Sequence, residues 1–203
     1  MWLSIVITVI AGYLLGNLNG AVCTSRALGD DVRTHGSGNA GLTNFIRNYG
    51  AGRSLMVILI DAGKAVAACV LGGLLLRTYL GFQTGSAIGG AAVMLGHVFP
   101  VFLGFRGGKG ILSGLFIALV TDYRIALLIL AVFALAYLIT WYVSLGSVLA
   151  ALTFGIAFVI FHHHQPVTML CGIFMCLLAT GMHWKNIVRL VKGEERKTNL
   201  FKK

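Results

Sequence analysis

Positions 96–110 read Gly-His-Val-Phe-Pro-Val-Phe-Leu-Gly-Phe-Arg-Gly-Gly-Lys-Gly, and the rest of the chain is organised around this stretch. It begins as an apolar, aromatic helix and then breaks into closely spaced glycines around Arg106 and Lys109. Because glycine has no Cβ, successive backbone N–H groups can converge on an anion, and the helix predicted from Ile111 adds the positive end of its dipole. The stretch therefore predicts a phosphate or carboxylate site. It is not a Walker A loop, because the first glycine of that motif would fall on Leu103.

The composition of the chain excludes a soluble domain. Of its 203 residues, 58% are hydrophobic and 11% charged, and the mean hydropathy is +0.88. We therefore predict an all-α, polytopic membrane protein, a helical bundle formed by a single domain over residues 1–203. Long apolar windows between the charged clusters predict seven transmembrane helices. The windows are residues 3–23, 54–76, 84–105, 111–120, 125–143, 145–161 and 167–182.

Lysine and arginine positions predict the orientation of the chain in the membrane. With seven spans and the amino terminus outside, the outer loops carry only Arg77 and Arg124. The inner side carries Arg26, Arg33, Arg47, Arg53, Arg106, Lys109 and the seven basic residues of the tail. This asymmetry predicts an external amino terminus and a cytoplasmic carboxyl terminus, and a five-span arrangement would keep the same ends. The net charge of +10 then indicates a basic surface that faces anionic lipid and anionic substrate, and no nucleic-acid partner is expected.

A second polar segment, residues 35–47, is rich in glycine and small hydrogen-bonding side chains. It formally contains Gly-x-Gly-x-x-Gly, but no strand-helix-strand unit surrounds it, so a dinucleotide site is not predicted. On a helix, Arg47 shares a face with Thr43 and Asn44. Either a binding loop or a flexible loop capped into a helix would have this composition.

Several charged and histidine residues fall inside or beside the apolar windows. Asp61 and Lys64 are three residues apart and are predicted to pair on one helix face, either as a structural pair or in contact with a ligand. His97 is either a satisfied interior histidine or a binding residue. The histidines at 162–164 lie on the predicted outer side, where three adjacent rings do not readily turn towards one metal ion, so no metal site is predicted.

A third polar segment begins where the last apolar window ends. His183, Asn186 and Arg189 are spaced by threes and form a stripe on a helix. An interfacial amphipathic anchor with snorkelling basic side chains would explain the arginine and its lysine neighbours. Histidine and asparagine add nothing to an anchor, whereas a neutral histidine accepts a proton and asparagine orients a hydroxyl.

These three segments, at 36–47, 96–110 and 183–195, resemble the three motifs of the PlsY family, the acyl-phosphate:glycerol-3-phosphate acyltransferases of the bacterial membrane. The family patterns are roughly Gly-Ser-x-Asn-x-Gly-Ala-Thr-Asn-x-x-Arg, Gly-His-x-Phe-Pro-x-Phe-x-x-Phe-x-Gly-Gly-Lys-Gly and His-x-x-Asn-Ile-x-Arg-Leu-x-x-Gly-x-Glu. Their order and spacing agree over nearly the whole chain. Leu42 replaces the usual alanine inside the first motif, and Met182 replaces a basic residue often found before the histidine of the third. Ala65 replaces the glycine that commonly follows the Asp61–Lys64 pair.

The resemblance implies a seven-span enzyme in the bacterial cytoplasmic (inner) membrane, with its active site facing the cytoplasm. It implies acyl transfer from an acyl phosphate to the 1-hydroxyl of glycerol 3-phosphate, giving lysophosphatidic acid and inorganic phosphate. The partners are then these two substrates and membrane lipid. No cofactor is expected, and a monomer is expected. Because an acyl phosphate is already activated, the protein has to hold two anions together and stabilise an oxyanion rather than supply a nucleophile.

The site residues follow from matching the motifs position by position. The catalytic residues are predicted to be Ser37, Lys109, His183 and Asn186, with either His183 or the donor phosphate taking the proton. The substrate-binding residues are predicted to be Gly36, Gly38, Asn39, Thr43, Asn44, Arg47, His97, Gly107, Gly108, Gly110 and Arg189.

Two other classes of function fit parts of the pattern. A transporter for a phosphorylated solute would also use basic intramembrane residues and glycine-broken helices, but it would carry polar residues through to the outer face and an internal repeat. A lipid-binding scaffold would tolerate the loss of Lys109 and His183.

Overall fold

The structure, a computed structural model, describes residues 1–198. Within that range it is built from ten α-helices and contains no β-strand, so the all-α prediction is confirmed. The basic tail residues Lys202 and Lys203 lie outside the described residues. The helices are α1 (Trp2–Gly16), α2 (Gly20–Ala27), α3 (Leu42–Tyr49), α4 (Ser54–Leu80), α5 (Phe82–Val98), α6 (Ile111–Thr121), α7 (Tyr123–Thr140), α8 (Val143–His162), α9 (Pro166–Met182) and α10 (Trp184–Val191).

An apolar helix occupies each of the seven predicted windows. Four helices within residues 1–198 are long and apolar enough to cross a bilayer, namely α4, α5 with the short turn after it, α7 and α8. The number rises to six if each bent pair, α1 with α2 and α9 with α10, is one broken span. Helix α6 has 11 residues, fewer than the roughly 20 of a full span. The fold is therefore a membrane bundle, and the count of seven spans stays a prediction.

Glycines bring α1, α4 and α5 into close contact. A Cβ on Gly16 would lie 2.4 Å from the Val93 carbonyl oxygen, and a Cβ on Gly96 would lie 2.1 Å from that of Tyr13. Helices in lipid gain no hydrophobic energy from meeting each other, so their association depends on such close backbone packing. These glycines allow α1 to pack directly against the backbone of α5.

The polar segments collect at one end of the bundle. Gly16 and Gly96 meet near the carboxyl-terminal ends of α1 and α5, so Met1 lies towards the opposite end. The tail after α10 returns to the polar end, where the Thr198 N–H donates to the Trp141 carbonyl at 3.0 Å. Met1 and Thr198 thus lie towards opposite ends of the bundle, and the orientation of the chain in a membrane stays a prediction.

Helix α6 starts well inside the bundle. At the far end, the Asp122 carboxylate that follows α6 lies 3.3 Å from Nε2 of His162, the last residue of α8. Since α8 has 20 residues and α6 has 11, α6 begins about 13 Å deeper than α8 at a rise of about 1.5 Å per residue. The glycine-rich segment that precedes α6 descends into the bundle to meet it.

Candidate active site

The three polar segments meet at one cavity of about 750 Å³. All the site residues predicted from sequence line it except Gly36 and Gly108. Those that line it are Ser37, Gly38, Asn39, Thr43, Asn44, Arg47, His97, Gly107, Lys109, Gly110, His183, Asn186 and Arg189. Segments far apart in sequence are therefore brought together, and the chemical role of each residue stays a prediction.

Lys109 lies at the centre of a chain of polar contacts. Its Nζ donates to Oδ1 of Asn186, and Nδ2 of Asn186 donates to Oε1 of Glu195 at 3.0 Å. Nε of Arg189 donates to the other Glu195 oxygen at 2.6 Å. Asn186 and Arg189 lie on one face of α10, as their spacing predicted. Glu195 follows that helix and is only 9% exposed, so a buried carboxylate holds both side chains in place.

Burial shifts the pKa values of the charged groups around Lys109. It lowers the pKa of Lys109 to about 8, and the nearby Arg189 guanidinium lowers it further. Burial alone would raise the pKa of Glu195, but the hydrogen bonds from Arg189 and Asn186 outweigh it and hold that pKa below its usual value. Glu195 is therefore ionised at neutral pH, and Lys109 carries a proton that it holds less tightly than an exposed lysine.

Arg47 faces the same cavity from α3. Its guanidinium donates to the Thr198 hydroxyl, and the Thr198 carbonyl accepts a hydrogen bond from the Tyr137 hydroxyl at 3.0 Å. Burial lowers the pKa of Arg47 from its usual value, although a guanidinium stays charged. Among residues 1–198, neither Arg47 nor Lys109 forms an ion pair with an acidic side chain. Both cations are held by neutral oxygens, which an anion would replace.

His183 joins α9 to α10 and is 3% exposed. Its Nδ1 lies 2.8 Å from the carbonyl oxygen of Ala179. A carbonyl only accepts hydrogen bonds, so Nδ1 carries the ring proton of the neutral histidine, a tautomer assigned from this contact. Nε2 is then an acceptor at the cavity wall, which suits a hydroxyl group.

Asn44 shapes the first polar loop. Its Nδ2 donates to the carbonyl oxygens of Val32, His35 and Asn39 at 3.0 to 3.1 Å, and its Oδ1 accepts from the Ser37 N–H at 3.0 Å. These bonds occupy the hydrogen-bonding groups of the side chain. Asn44 therefore shapes the loop, and its neighbours carry the polar groups that are left to face the cavity.

Gly36 turns the same loop with φ +57°, and a Cβ there would lie 2.5 Å from Oδ1 of Asn44. A residue with a side chain would disturb both the turn and the asparagine that holds it. Its contribution to the site is thus the shape of the loop.

The glycine-rich segment departs from its predicted role in one respect. The N–H groups of Gly107 and Gly108 donate to the carbonyl oxygens of Val98 and His97 at 3.2 and 3.1 Å, so the prediction that these amides converge on an anion is wrong. The first-turn amides of α6 have no acceptor within their own helix, and they begin at the cavity directly after Gly110, which has φ +83°. Lys109 and the first-turn amides of α6 are therefore the groups of this segment that can bind an anion.

Gly107 and Gly108 instead allow the segment to pack closely on His97. A Cβ on Gly108 would lie 2.2 Å from Nε2 of His97. Nδ1 of the same ring is 2.7 Å from Nζ of Lys64, which is 2.7 Å from Oδ1 of Asp61. The predicted pairing of Asp61 with Lys64 is confirmed, and both side chains are buried. A polar chain inside the bundle thus supports the segment that carries Lys109.

Sequence reasoning placed Glu195 only as the last position of the third motif and gave it no role. A carboxylate six residues after Arg189 is a weak signal by itself, because the turn at Gly193, with φ +71°, has to bring it back towards α10. No sequence pattern indicated that Thr198 contacts the site.

The chain resembles known proteins over almost its full length. Residues 6–193 match the model of the family described as Glycerol-3-phosphate acyltransferase. A protein of that name from Thermoanaerobacter sp. (strain X514) is 37% identical over 193 residues, which cover 95% of this chain and 94% of the relative. Another, from Anaeromyxobacter dehalogenans (strain 2CP-1 / ATCC BAA-258), is 41% identical over 196 residues, covering 93% and 94%.

Two solved structures have the same fold. One is the glycerol 3-phosphate form of PlsY, an integral membrane glycerol 3-phosphate acyltransferase. It matches with a TM-score of 0.87 and 30% identity over 98% of this chain and 100% of that one. The lysophosphatidic acid form of PlsY matches with a TM-score of 0.83 and 30% identity, over 97% and 96% of the two chains.

Proposed function

The chain belongs to the glycerol-3-phosphate acyltransferase family, and from this premise we propose how its cavity works and which acyl donor it uses. The protein is a membrane enzyme that acylates glycerol 3-phosphate to give lysophosphatidic acid. The donor is an acyl phosphate. The reaction then brings two phosphate groups into one cavity, and the charges of that cavity carry the proposal.

The main observation behind the proposal is that the cavity holds more positive than negative charge. Arg47, Lys109 and Arg189 converge there, and Glu195 neutralises only Arg189 within the described part of the chain. Arg106 and Lys185 also line the cavity, and its second carboxylate, Asp61, is paired with Lys64. Positive charge therefore stays in excess, which is unfavourable unless anions occupy the space. Two phosphates, one from each substrate, would supply that charge, whereas an acyl thioester would bring no phosphate to the reacting carbon.

The residues divide the work between the two substrates. Lys109 and the first-turn amides of α6 bind the donor phosphate and polarise the acyl carbonyl. Arg47, with Ser37, Asn39 and Thr43 beside it, and Arg189 hold the phosphate of glycerol 3-phosphate. Asn186 fixes the position of Lys109 through their hydrogen bond.

The acyl transfer step balances without a protein nucleophile. His183 accepts a hydrogen bond from the 1-hydroxyl through Nε2 and orients its oxygen. That oxygen forms a bond to the acyl carbon, and the bond from this carbon to the phosphate oxygen breaks. The proton is carried away by the departing phosphate. The products are lysophosphatidic acid and inorganic phosphate.

The placement of the cavity supports a cytoplasmic active site in the inner membrane. The cavity lies at the end of the bundle where the basic segments gather, and basic residues favour the cytoplasmic side. All the groups assigned above come from one chain, so a monomer suffices for the reaction.

The test is to measure inorganic phosphate and lysophosphatidic acid formed by the purified enzyme in detergent. Palmitoyl phosphate is compared with palmitoyl-coenzyme A, with and without glycerol 3-phosphate. We expect both products, in equal amounts, only from palmitoyl phosphate with the acceptor. Lys109→Ala removes the activity, whereas Lys192→Ala, which changes an exposed lysine after α10, does not. Equal use of the thioester would overturn the proposed donor.

A further inference from the structure

Helix α10 carries an apolar stripe that the reaction does not use. Trp184, at the rim of the cavity, is 67% exposed, and Val191 at the other end of the helix is 84% exposed. Val188 follows Trp184 by four positions and precedes Val191 by three, so the three side chains share one face. Asn186 and Arg189 point the other way and line the cavity. The helix therefore has an inner face at the site and an outer face without a partner.

Two exposed lysines lie beside this stripe. Lys185 and Lys192 are seven positions apart, which places them on the same side of the helix. Among residues 1–198, no acidic side chain forms an ion pair with either of them. We use the term outer face for the stripe and the lysines together, namely Trp184, Lys185, Val188, Val191 and Lys192.

The position of α10 fits the surface of a bilayer. Helix α9 is apolar, and α10 turns away from it by 56° at the polar end of the bundle. An amphipathic helix at a membrane surface buries its apolar stripe about 5–10 Å into the headgroup boundary. Tryptophan favours this depth, and flanking lysines reach the lipid headgroups. Any lipid surface would cover the stripe, but only an anionic one would also pair with the two lysines.

We propose that the outer face of α10 binds the headgroup region of an anionic bilayer, and that this contact holds the inner face of the helix at the cavity. The inference rests on the roles proposed above for Asn186 and Arg189. It adds a partner, anionic phospholipid, that the acyl transfer reaction does not itself require.

The shortness of α10 couples its two faces. The helix has eight residues, and a helix of this length is not stable without contacts to its surroundings. On its inner face, Asn186 contacts Lys109 and Glu195, and Arg189 contacts Glu195. Lipid contact on the outer face would fix the same helix from the other side. Without it, a tilt of α10 moves Asn186 away from Lys109, so the saturated rate should fall.

The experiment measures kcat in nanodiscs in which phosphatidylglycerol progressively replaces phosphatidylcholine. Both substrates are saturating, because surface charge changes their local concentrations but not the saturated rate. We expect kcat to rise with the anionic fraction. One lysine contributes about fivefold to binding at an anionic surface, so Lys192→Ala should need about fivefold more phosphatidylglycerol for the same activation. In phosphatidylcholine alone, as in detergent, it should match the wild type.

Two more variants separate the outer face from general effects of charge. Val191→Asp places a carboxylate in the stripe and should abolish the activation, with thermal unfolding as the check on folding. Arg53→Ala removes an exposed basic residue just before α4 and should leave the lipid dependence unchanged. An equal loss of activation in Arg53→Ala and Lys192→Ala would overturn the assignment to α10.

A second readout follows lipid contact without any acyl transfer. Brominated lipids quench nearby tryptophans, and the part of the quenching that is lost in Trp184→Phe reports on α10. We expect brominated phosphatidylglycerol to quench Trp184 more than brominated phosphatidylcholine does, and Val191→Asp to remove the difference. Equal quenching by the two lipids, or none, would overturn the anionic partner. Quenching without any change in kcat would overturn the coupling to the cavity. Selective quenching in an enzyme that transfers no acyl group would refute the proposed function but not the lipid contact.

Discussion

Replacing Glu195 with glutamine should lower the activity of the enzyme, although Glu195 itself does not touch substrate. Its carboxylate accepts hydrogen bonds from Asn186 at 3.0 Å and from Arg189 at 2.6 Å. The glutamine amide keeps one acceptor and directs an NH₂ group at the other donor. Losing one hydrogen bond to a charged group costs about 1.5–3 kcal/mol. If that loss falls on the positions of Lys109 and Arg189, kcat/KM should decrease about 10- to 150-fold.

The neighbouring glutamate provides a matched control for this change. Glu194 precedes Glu195 but is exposed, so Glu194→Gln makes the same chemical change without touching the cavity. Lysophosphatidic acid formation would be followed for both purified variants, with thermal unfolding as the check on folding. The reasoning is refuted if a folded Glu195→Gln enzyme keeps its activity within about twofold, or if Glu194→Gln loses as much.

Three further changes test the support and charge of the site. Lys64→Met leaves the Asp61 carboxylate buried without a cation, which should cost about 3–5 kcal/mol of stability, and adding Asp61→Asn should restore most of it in thermal unfolding. Gly108→Ala places a Cβ 2.2 Å from His97 Nε2, and an outward shift of about 1 Å in this segment should reduce kcat/KM by about 10²-fold. Lysine binds phosphate while protonated, so wild-type kcat/KM should decline as the pH rises through the Lys109 pKa of about 8, and a Lys109→Arg profile should stay flat there.

Each of these has an outcome that contradicts it. Equal unfolding temperatures for Lys64→Met and the double variant would mean that the unpaired Asp61 carboxylate does not destabilise the protein. Gly63→Ala, where nothing lies within 4 Å of the added Cβ, is the control for Gly108→Ala, and equal losses in both would remove the steric explanation. A decline above pH 8 that persists in a folded Lys109→Arg enzyme would assign the titration to another group.

The sequence predicted features that depend on local pattern. Apolar runs gave the seven helices, and spacing by threes gave the Asp61–Lys64 pair and the α10 face of Asn186 and Arg189. These follow from helical periodicity alone. The resemblance to a family then identified which polar segments meet.

Features that depend on tertiary contacts were not predictable. The amides of Gly107 and Gly108 are occupied because the segment folds back on the end of α5, and no local rule specifies that return. Glu195 reaches Asn186 and Arg189 only through the turn at Gly193. Buried contacts between distant segments need a three-dimensional arrangement that helical periodicity does not contain.

The shortness of α6 has a kinetic consequence. Because this helix begins about 13 Å deeper than its neighbour α8, the reacting groups lie below the level at which the longer helices end. An acyl donor can then stay dissolved in the bilayer while glycerol 3-phosphate descends from water. The rate should follow the mole fraction of donor in the membrane surface and the bulk molarity of glycerol 3-phosphate. Diluting the donor with inert lipid would slow the enzyme even when the total amount of donor in the vessel is unchanged.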